Sequence, residues 1–284
     1  IFVKISSATT SQTSHHNLIS LSSLIITLGI IYGDIGTSPL YVMKAIIGNN
    51  KIDPAIIIGA VSCVFYTLTI QTTIKYVMIT IRADNHGEGG IFSLYSLLKR
   101  LRKGWIIIPA IIGGCALLAD GIITPSISIS SAVEGLKIYY PQLDVMIIVI
   151  VILFILFSVQ RFGTQIIGKS FGPIMLLWFL MLGSLGLIGL FSNISILKAF
   201  NPYYAFKLLQ IHNEGFYVLG FVFLCTTGAE ALYSDLGHCG VRNVRISWIF
   251  VKSMLVINYF GQGAMMLNFE GKTLFCTLPM ISLA

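Results

Sequence analysis

Charge is what this chain has least of. Only 10% of its 284 residues are Asp, Glu, Lys or Arg, where a soluble domain carries roughly a quarter. A water-facing globular surface is therefore excluded. Paired cysteines are missing too. Cys63, Cys115, Cys225, Cys239 and Cys276 fall in or beside apolar stretches, with no C-x-x-C pair and no His/Cys cluster. That excludes a disulfide framework and leaves free thiols packed among helices. Acids are the scarcer sign, 11 against 18 bases for a net charge of +7, but the bases sit in short loops without interleaved aromatics. They serve as topology signals and contacts for anionic membrane lipid, and nucleic acid is not a partner. The first 17 residues lack the charged start and cleavage pattern of a signal peptide and predict a disordered tail.

What is present in excess is apolar length. Hydrophobic residues make up 56% of the chain and mean hydropathy is +0.88, which predicts an all-α polytopic membrane protein. At about 20 residues per crossing, the apolar runs predict seven spans, at 21–48, 54–80, 105–131, 143–160, 168–192, 214–238 and 246–268. The domain reading follows: a tail at 1–17, a bundle at 18–268, and a loop with the start of an eighth helix at 269–284. Eleven bases (Lys4, Lys75, Arg82, Lys99, Arg100, Arg102, Lys103, Arg161, Lys169, Arg242, Arg245) fall on one side and six (Lys44, Lys51, Lys137, Lys198, Lys207, Lys272) on the other. Basic loops stay inside, so the N-terminus is predicted to be cytoplasmic. Lys252 falls inside span seven with no evident partner.

Three apolar runs carry acids at membrane depth, where an ionisable side chain costs about 2.5–3.5 kcal/mol and marks a partner, an ion path or water. In span one, Gly33-Asp34-Ile35-Gly36-Thr37-Ser38-Pro39 sets a carboxylate among helix breakers. Pro39 has no N–H for the carbonyl of Ile35, which leaves main-chain oxygen free. In span three, Asp120, Thr124 and Ser128 recur every fourth residue and share one helical face, while Pro125 frees the carbonyl of Gly121. In span six, Thr227 and Glu230 lie within a turn around Gly228. Spans one and six, both broken and acidic, are five spans apart, the spacing of corresponding helices in two inverted five-helix repeats. The three stretches offer oxygens and no nitrogen or thiolate ligands, which suits a weakly hydrated alkali cation. A desolvated carboxylate that a cation also visits suits proton coupling, with Asp34, Asp120 and Glu230 as candidate carriers.

At these residues the chain resembles the KUP/HAK/KT family of potassium uptake transporters. The resemblance rests on G-D-I-G-T-S-P-L-Y at 33–41, R-A-D-N-H-G-E-G-G-I at 82–91, D-G-I-I-T-P-S-I-S at 120–128, G-A-E-A-L-Y-S-D-L-G-H at 228–238 and N-Y-F-G-Q-G-A at 258–264. It implies an amino-acid-permease or LeuT-like inverted-repeat fold and proton-coupled potassium uptake across the cytoplasmic (inner) membrane by a non-enzyme. The transported ions would be potassium and protons, with no cofactor and no metal beyond potassium. Carried over by motif, the potassium-site residues are Asp34 and Tyr41 from span one, Asp120, Thr124 and Ser128 from span three, and Thr227 and Glu230 from span six. Ala119 stands where the family's glycine is expected. The family has about twelve spans and a soluble C-terminal domain, and its full-length form allows a homodimer. Seven spans complete one repeat and begin the second, so this chain reads as a truncated form expected not to transport alone.

Blander readings stand beside these. Gly29, Gly33 and Gly36 suit helix-helix contacts, Gly29 above all. Asp34 has a structural hydrogen-bonding alternative, and Ser126 and Ser130 suit bonds back to helix carbonyls. Tyr41 suits an interfacial anchor. Asp84, Asn85, His86 and Glu88 read as a solvated loop, Ile91 to Leu101 as an amphipathic surface helix, and Asp235 with His238 as a gate or salt bridge. An intramembrane aspartyl protease would need Tyr-Asp and Gly-x-Gly-Asp strings, which are absent. An amino-acid permease of the same fold is the nearer rival, but three converging carboxylates repel a substrate carboxylate.

Overall fold

The computed structural model describes residues 20–48, 53–85, 87–99, 104–136, 144–160, 164–211 and 215–268, with Tyr140 and Gln142. The expected tail at 1–17, the segment 269–284 with Cys276, and His86 lie outside the described residues. Among the described residues there is no strand; the sole β feature is an isolated bridge between Asn85 and Glu88. The described elements are helices, in keeping with the composition.

Span one is broken. Helix α1 (Leu21–Ile31) begins at Ser20, whose N–H is capped by the Ser23 hydroxyl at 3.2 Å. The chain then turns through Tyr32–Thr37 and a short 3-10 segment, Ser38–Leu40, before α2 (Val42–Ile47). Span two starts as α3 (Pro54–Thr67), with Asp53 accepting from the Ala55 N–H at 2.8 Å and Pro54 in the first turn. It continues through Leu68–Ile79 as a π-helix. There Thr73 and Thr80 donate to carbonyls five residues back, Leu68 at 3.3 Å and Lys75 at 2.7 Å. Those back-bonds suit a widened turn.

Helix α4 (Ile91–Lys99) leads to α5 (Ile107–Leu136), which contains Pro125. Helix α4 lies on α5: a side chain at Gly114 would meet Phe92 at 2.8 Å. Next come α6 (Val145–Gln160), α7 (Thr164–Ser192), α8 (Pro202–Ile211) and α9 (Gly215–Phe223). Span six then breaks through Leu224–Glu230 into two single turns, α10 (Ala231–Ser234) and α11 (Leu236–Cys239). Helix α12 (Val241–Leu267) closes the described chain.

Among the described residues, four segments are long and apolar enough to cross a membrane: Pro54–Arg82, Gly104–Leu136, Phe171–Ser192 and Tyr217–Ser234. The other three expected spans form helices that fall short for different reasons. Span one is interrupted after 11 residues. Helix α6 has 16 residues. Helix α12 is long enough, but Arg242, Arg245, Lys252, Asn243, Asn258 and Gln262 dilute it.

The core lies where α12 meets α1 and α7. Trp248, Val251, Leu255 and Tyr259 are buried along α12, and Trp248 stacks on Tyr32 with ring centroids 6.2 Å apart. Gly186 and Gly261 face each other so closely that neither position has room for a side chain, which brings two backbones together as small residues do in membrane bundles. Outward faces are apolar: Ile108, Ile111, Ile112, Leu118 and Ile122 on α5, and Ile147, Ile150 and Phe154 on α6, are all exposed.

Sequence neighbours far apart meet at the two ends. Lys44 pairs with Glu134 at 2.7 Å, and Asn193 meets Asn268 at 3.4 Å. At the other end the 83–90 turn docks on span six, with the Tyr233 hydroxyl donating to the Ala83 carbonyl and Glu88 resting on Gly237. Asp84 and Glu88 are exposed, as expected of a solvated loop, while Gly89 and Gly90 let the turn lie against the backbone of Tyr233 and Ser234. Lys252 has a neighbour after all: its Nζ lies 6.0 Å from the centre of the Phe65 ring, within cation–π range. Asp235 and His238 form no ion pair; among the described residues the only one is Lys44–Glu134. Cys63, Cys225 and Cys239 are free and buried, whereas Cys115 is exposed.

Candidate cation site

The two breaks face each other. Gly228 has φ of +83°, a conformation L side chains rarely adopt, and a Cβ there would lie 2.7 Å from the Cβ of Asp34. Only glycine lets span six pass this close to span one. Asp120 approaches from α5, and one carboxylate oxygen each from Asp34, Asp120 and Glu230 lies within 4.8 Å of the others. All three residues are half-buried. The Asp34 carboxylate accepts no hydrogen bond among the described residues, which leaves the structural alternative for it without support.

The remaining expected residues divide. The Thr124 hydroxyl donates to Asp120 Oδ1 at 2.8 Å, so it orients that carboxylate from the same helical face. Ser128 lies 3.0 Å from the Thr37 hydroxyl, which also donates to the Asp34 carbonyl at 2.8 Å. Thr37 was not singled out in the sequence; its place in the break, three residues after Asp34, was the available signal. Thr227 begins the span-six turn, its N–H bonded to the Leu224 carbonyl at 3.3 Å. Tyr41 is buried, with its hydroxyl 3.3 Å from Ser38, and is no interfacial anchor. Ser126 returns its hydroxyl to Ile122 at 3.1 Å, as expected; Ser130 makes no such bond. Gly36 makes close contacts, with Met175, Phe179 and the Tyr32 carbonyl each 3.0 Å from a would-be Cβ, while Gly33 faces open space.

Main-chain oxygens complete the set. Among the described residues the carbonyls of Gly33 and Ile35 in span one, and of Cys225 and Thr227 in span six, find no donor. Ile35 is free for the expected reason, since its donor would be Pro39. Three converging carboxylates, with hydroxyls and unpaired carbonyls on the same broken segments and helix, form a set of hard oxygen donors with excess negative charge. Such a set is of the chemistry that suits a cation.

The family model described as the K+ potassium transporter integral membrane domain matches residues 21–283. The chain belongs to this family. Among curated relatives, the probable potassium transport system protein Kup of Flavobacterium johnsoniae is 64% identical over 269 residues, covering 93% of this chain and 41% of that protein. The protein of that name in Cytophaga hutchinsonii is 61% identical over 266 residues, covering 92% and 40%. Its namesake in Clostridium perfringens is 54% identical over 269 residues, covering 90% and 40%. The chain spans about two-fifths of the length of these relatives. No solved structure matches it.

Proposed function

We propose that these helices supply the cation site of a proton-coupled potassium uptake transporter with a LeuT-like inverted-repeat fold, embedded in the cytoplasmic membrane with its N-terminus inside. The observation that carries the reading is the convergence of Asp34, Asp120 and Glu230 within 4.8 Å. Two unit charges at that separation repel by about 3 kcal/mol at an effective dielectric of 20, so the cluster calls for a compensating cation. Thr124, Ser128 and Thr227, with the free carbonyls, supply neutral oxygens that replace potassium's weakly held water. Tyr41 closes the span-one side.

Proton coupling follows from charge. One potassium ion leaves part of the negative charge uncompensated, and a proton on one acid reduces it further. A site loaded with both is therefore favoured over one loaded with either. The fold reading is supported by two breaks at corresponding helices, spans one and six, which face each other as the half-helices of such repeats do. Seven crossings place Lys44, Glu134, Asn193 and Asn268 at one membrane face and Ala83 and Tyr233 at the other. The contacts at the two ends support that count. An amino-acid permease is disfavoured by the same three carboxylates.

The test is rubidium uptake by the full-length transporter in cells lacking potassium uptake, with cytoplasmic pH recorded. Saturable uptake accompanied by acidification is expected. Uptake without acidification removes the proton from the reading, and no uptake removes the function.

A further inference from the structure

Two side chains from outside the acidic cluster hold the broken segment of span one in place. The Trp178 indole N–H on α7 donates to the Gly36 carbonyl at 2.9 Å. The Gln262 amide on α12 donates to the Pro39 carbonyl at 3.1 Å and to Asn258 Oδ1 at 2.8 Å, while Asn258 donates to the Leu182 carbonyl at 2.9 Å. Trp178, Leu182 and Gly186 recur every fourth residue along one row of α7, and Asn258 and Gln262 are one turn apart on α12. The absent side chain at Gly186 is what lets the Asn258 backbone reach that row. A continuous hydrogen-bonded strut therefore runs from α7 through α12 to the break.

We infer that Trp178 and Gln262 are positioning residues that set the affinity and ion discrimination of the cation site, an inference that rests on the function proposed above. The physical reason lies in what the strut leaves alone. It takes the carbonyls of Gly36 and Pro39, just C-terminal of Asp34 and Ile35, and spares those of Gly33 and Ile35, which have no donor among the described residues. An unwound segment has no helix bonds to fix its carbonyl directions, so without outside anchors the free oxygens would wander and fit cations of several sizes equally. Anchoring the carbonyl next to Ile35 and that of Pro39 restricts the stretch that carries the Asp34 carboxylate and the free Ile35 oxygen. Each bond is an ordinary neutral one, yet both donors are the sole partners of polar backbone at membrane depth, where an unmet carbonyl is costly.

The experiment compares Trp178→Phe, which keeps the ring and removes the donor, and Gln262→Met, which keeps the length and removes both donors, in the full-length transporter. Rubidium uptake is measured against concentration, with sodium and caesium as competitors, and normalised to transporter in the membrane. The expected result is a KM raised about three- to tenfold per variant, from the loss of one hydrogen bond each, a Vmax close to the parent's, and weaker exclusion of sodium or caesium. A lowered Vmax with KM and competition unchanged overturns the inference, since that is how a purely structural role reads out. Hydrogen exchange over 33–41 in the purified variants decides separately where uptake is low: faster exchange is expected, and unchanged exchange overturns the inference. Failure of the unsubstituted transporter to take up rubidium would instead sink the potassium reading.

Discussion

The three carboxylates do different amounts of geometric work, and single isosteric changes separate them. Among the described residues the Asp34 carboxylate accepts no hydrogen bond, whereas that of Asp120 is oriented by Thr124 at 2.8 Å. Asp34→Asn, Asp120→Asn and Glu230→Gln each keep shape and remove a charge; each is expected to lower rubidium uptake at low concentration tenfold or more, about 1.4 kcal/mol of lost ion stabilisation. Thr124→Val leaves the charge and frees the carboxylate, and a smaller loss is expected, read as a raised KM. Normal uptake by all three amide variants would mean that the acids are structural. Glycines give a second contrast. Gly228→Ala needs a left-handed alanine whose Cβ meets Asp34 at 2.7 Å, and a cost of about 2 kcal/mol or more is expected. Gly33→Ala faces open space and is expected to alter thermal stability little. Thermal unfolding in detergent compares the two.

Elements explain why the site exists. A continuous helix in span one would turn every carbonyl into an internal acceptor; the Tyr32–Leu40 break leaves those of Gly33 and Ile35 without a donor and those of Gly36 and Pro39 to side chains. Span six does the same through Leu224–Glu230, and α5 stays whole to present Asp120, Thr124 and Ser128 on one face. Pro125 was legible as a loosening of that helix, yet the helix continues through it. The pair Lys44–Glu134 joins one end of span one to one end of span three at 2.7 Å, but both side chains are nearly half exposed, at 44% and 46%. Such a pair contributes under about 1 kcal/mol. A double-mutant cycle with Lys44→Ala and Glu134→Ala is therefore expected to give a small coupling that shrinks with added salt. A coupling of several kcal/mol would mark a latch rather than a surface pair.

Across the molecule, orientation is the quantity that charge sets. Bases crowd the end that carries the 83–90 turn, so Glu88→Cys is expected to react with an impermeant maleimide only after cells are opened. Glu134→Cys and Ser195→Cys are expected to react in intact cells, all in a background without the exposed Cys115. The reverse pattern would invert the topology. The exposed apolar faces of α5 and α6, at Ile112, Leu118, Ile147 and Phe154, suit lipid or further helices. Water does not suit them.

Sequence by itself determined the class, the breaks and the acids. Composition forces burial in lipid, Gly and Pro at 33–39 forbid a regular helix, and a carboxylate at membrane depth needs a partner, all of which are local facts. It also carried the family's motifs, and so the identity of the residues around the site. Tertiary structure decided what no local pattern contains. That Asp34 meets Gly228 rather than lipid depends on two backbones 194 positions apart coming within contact. That Trp178 and Gln262 serve the break depends on Gly186 seating α12 against α7. Lys252, without a partner along the chain, finds Phe65 across space, and the 83–90 turn, polar enough to read as solvated, docks because glycines let backbone lie on backbone. Periodicity and composition report one chain segment at a time; distances between segments are set by how side-chain volumes pack.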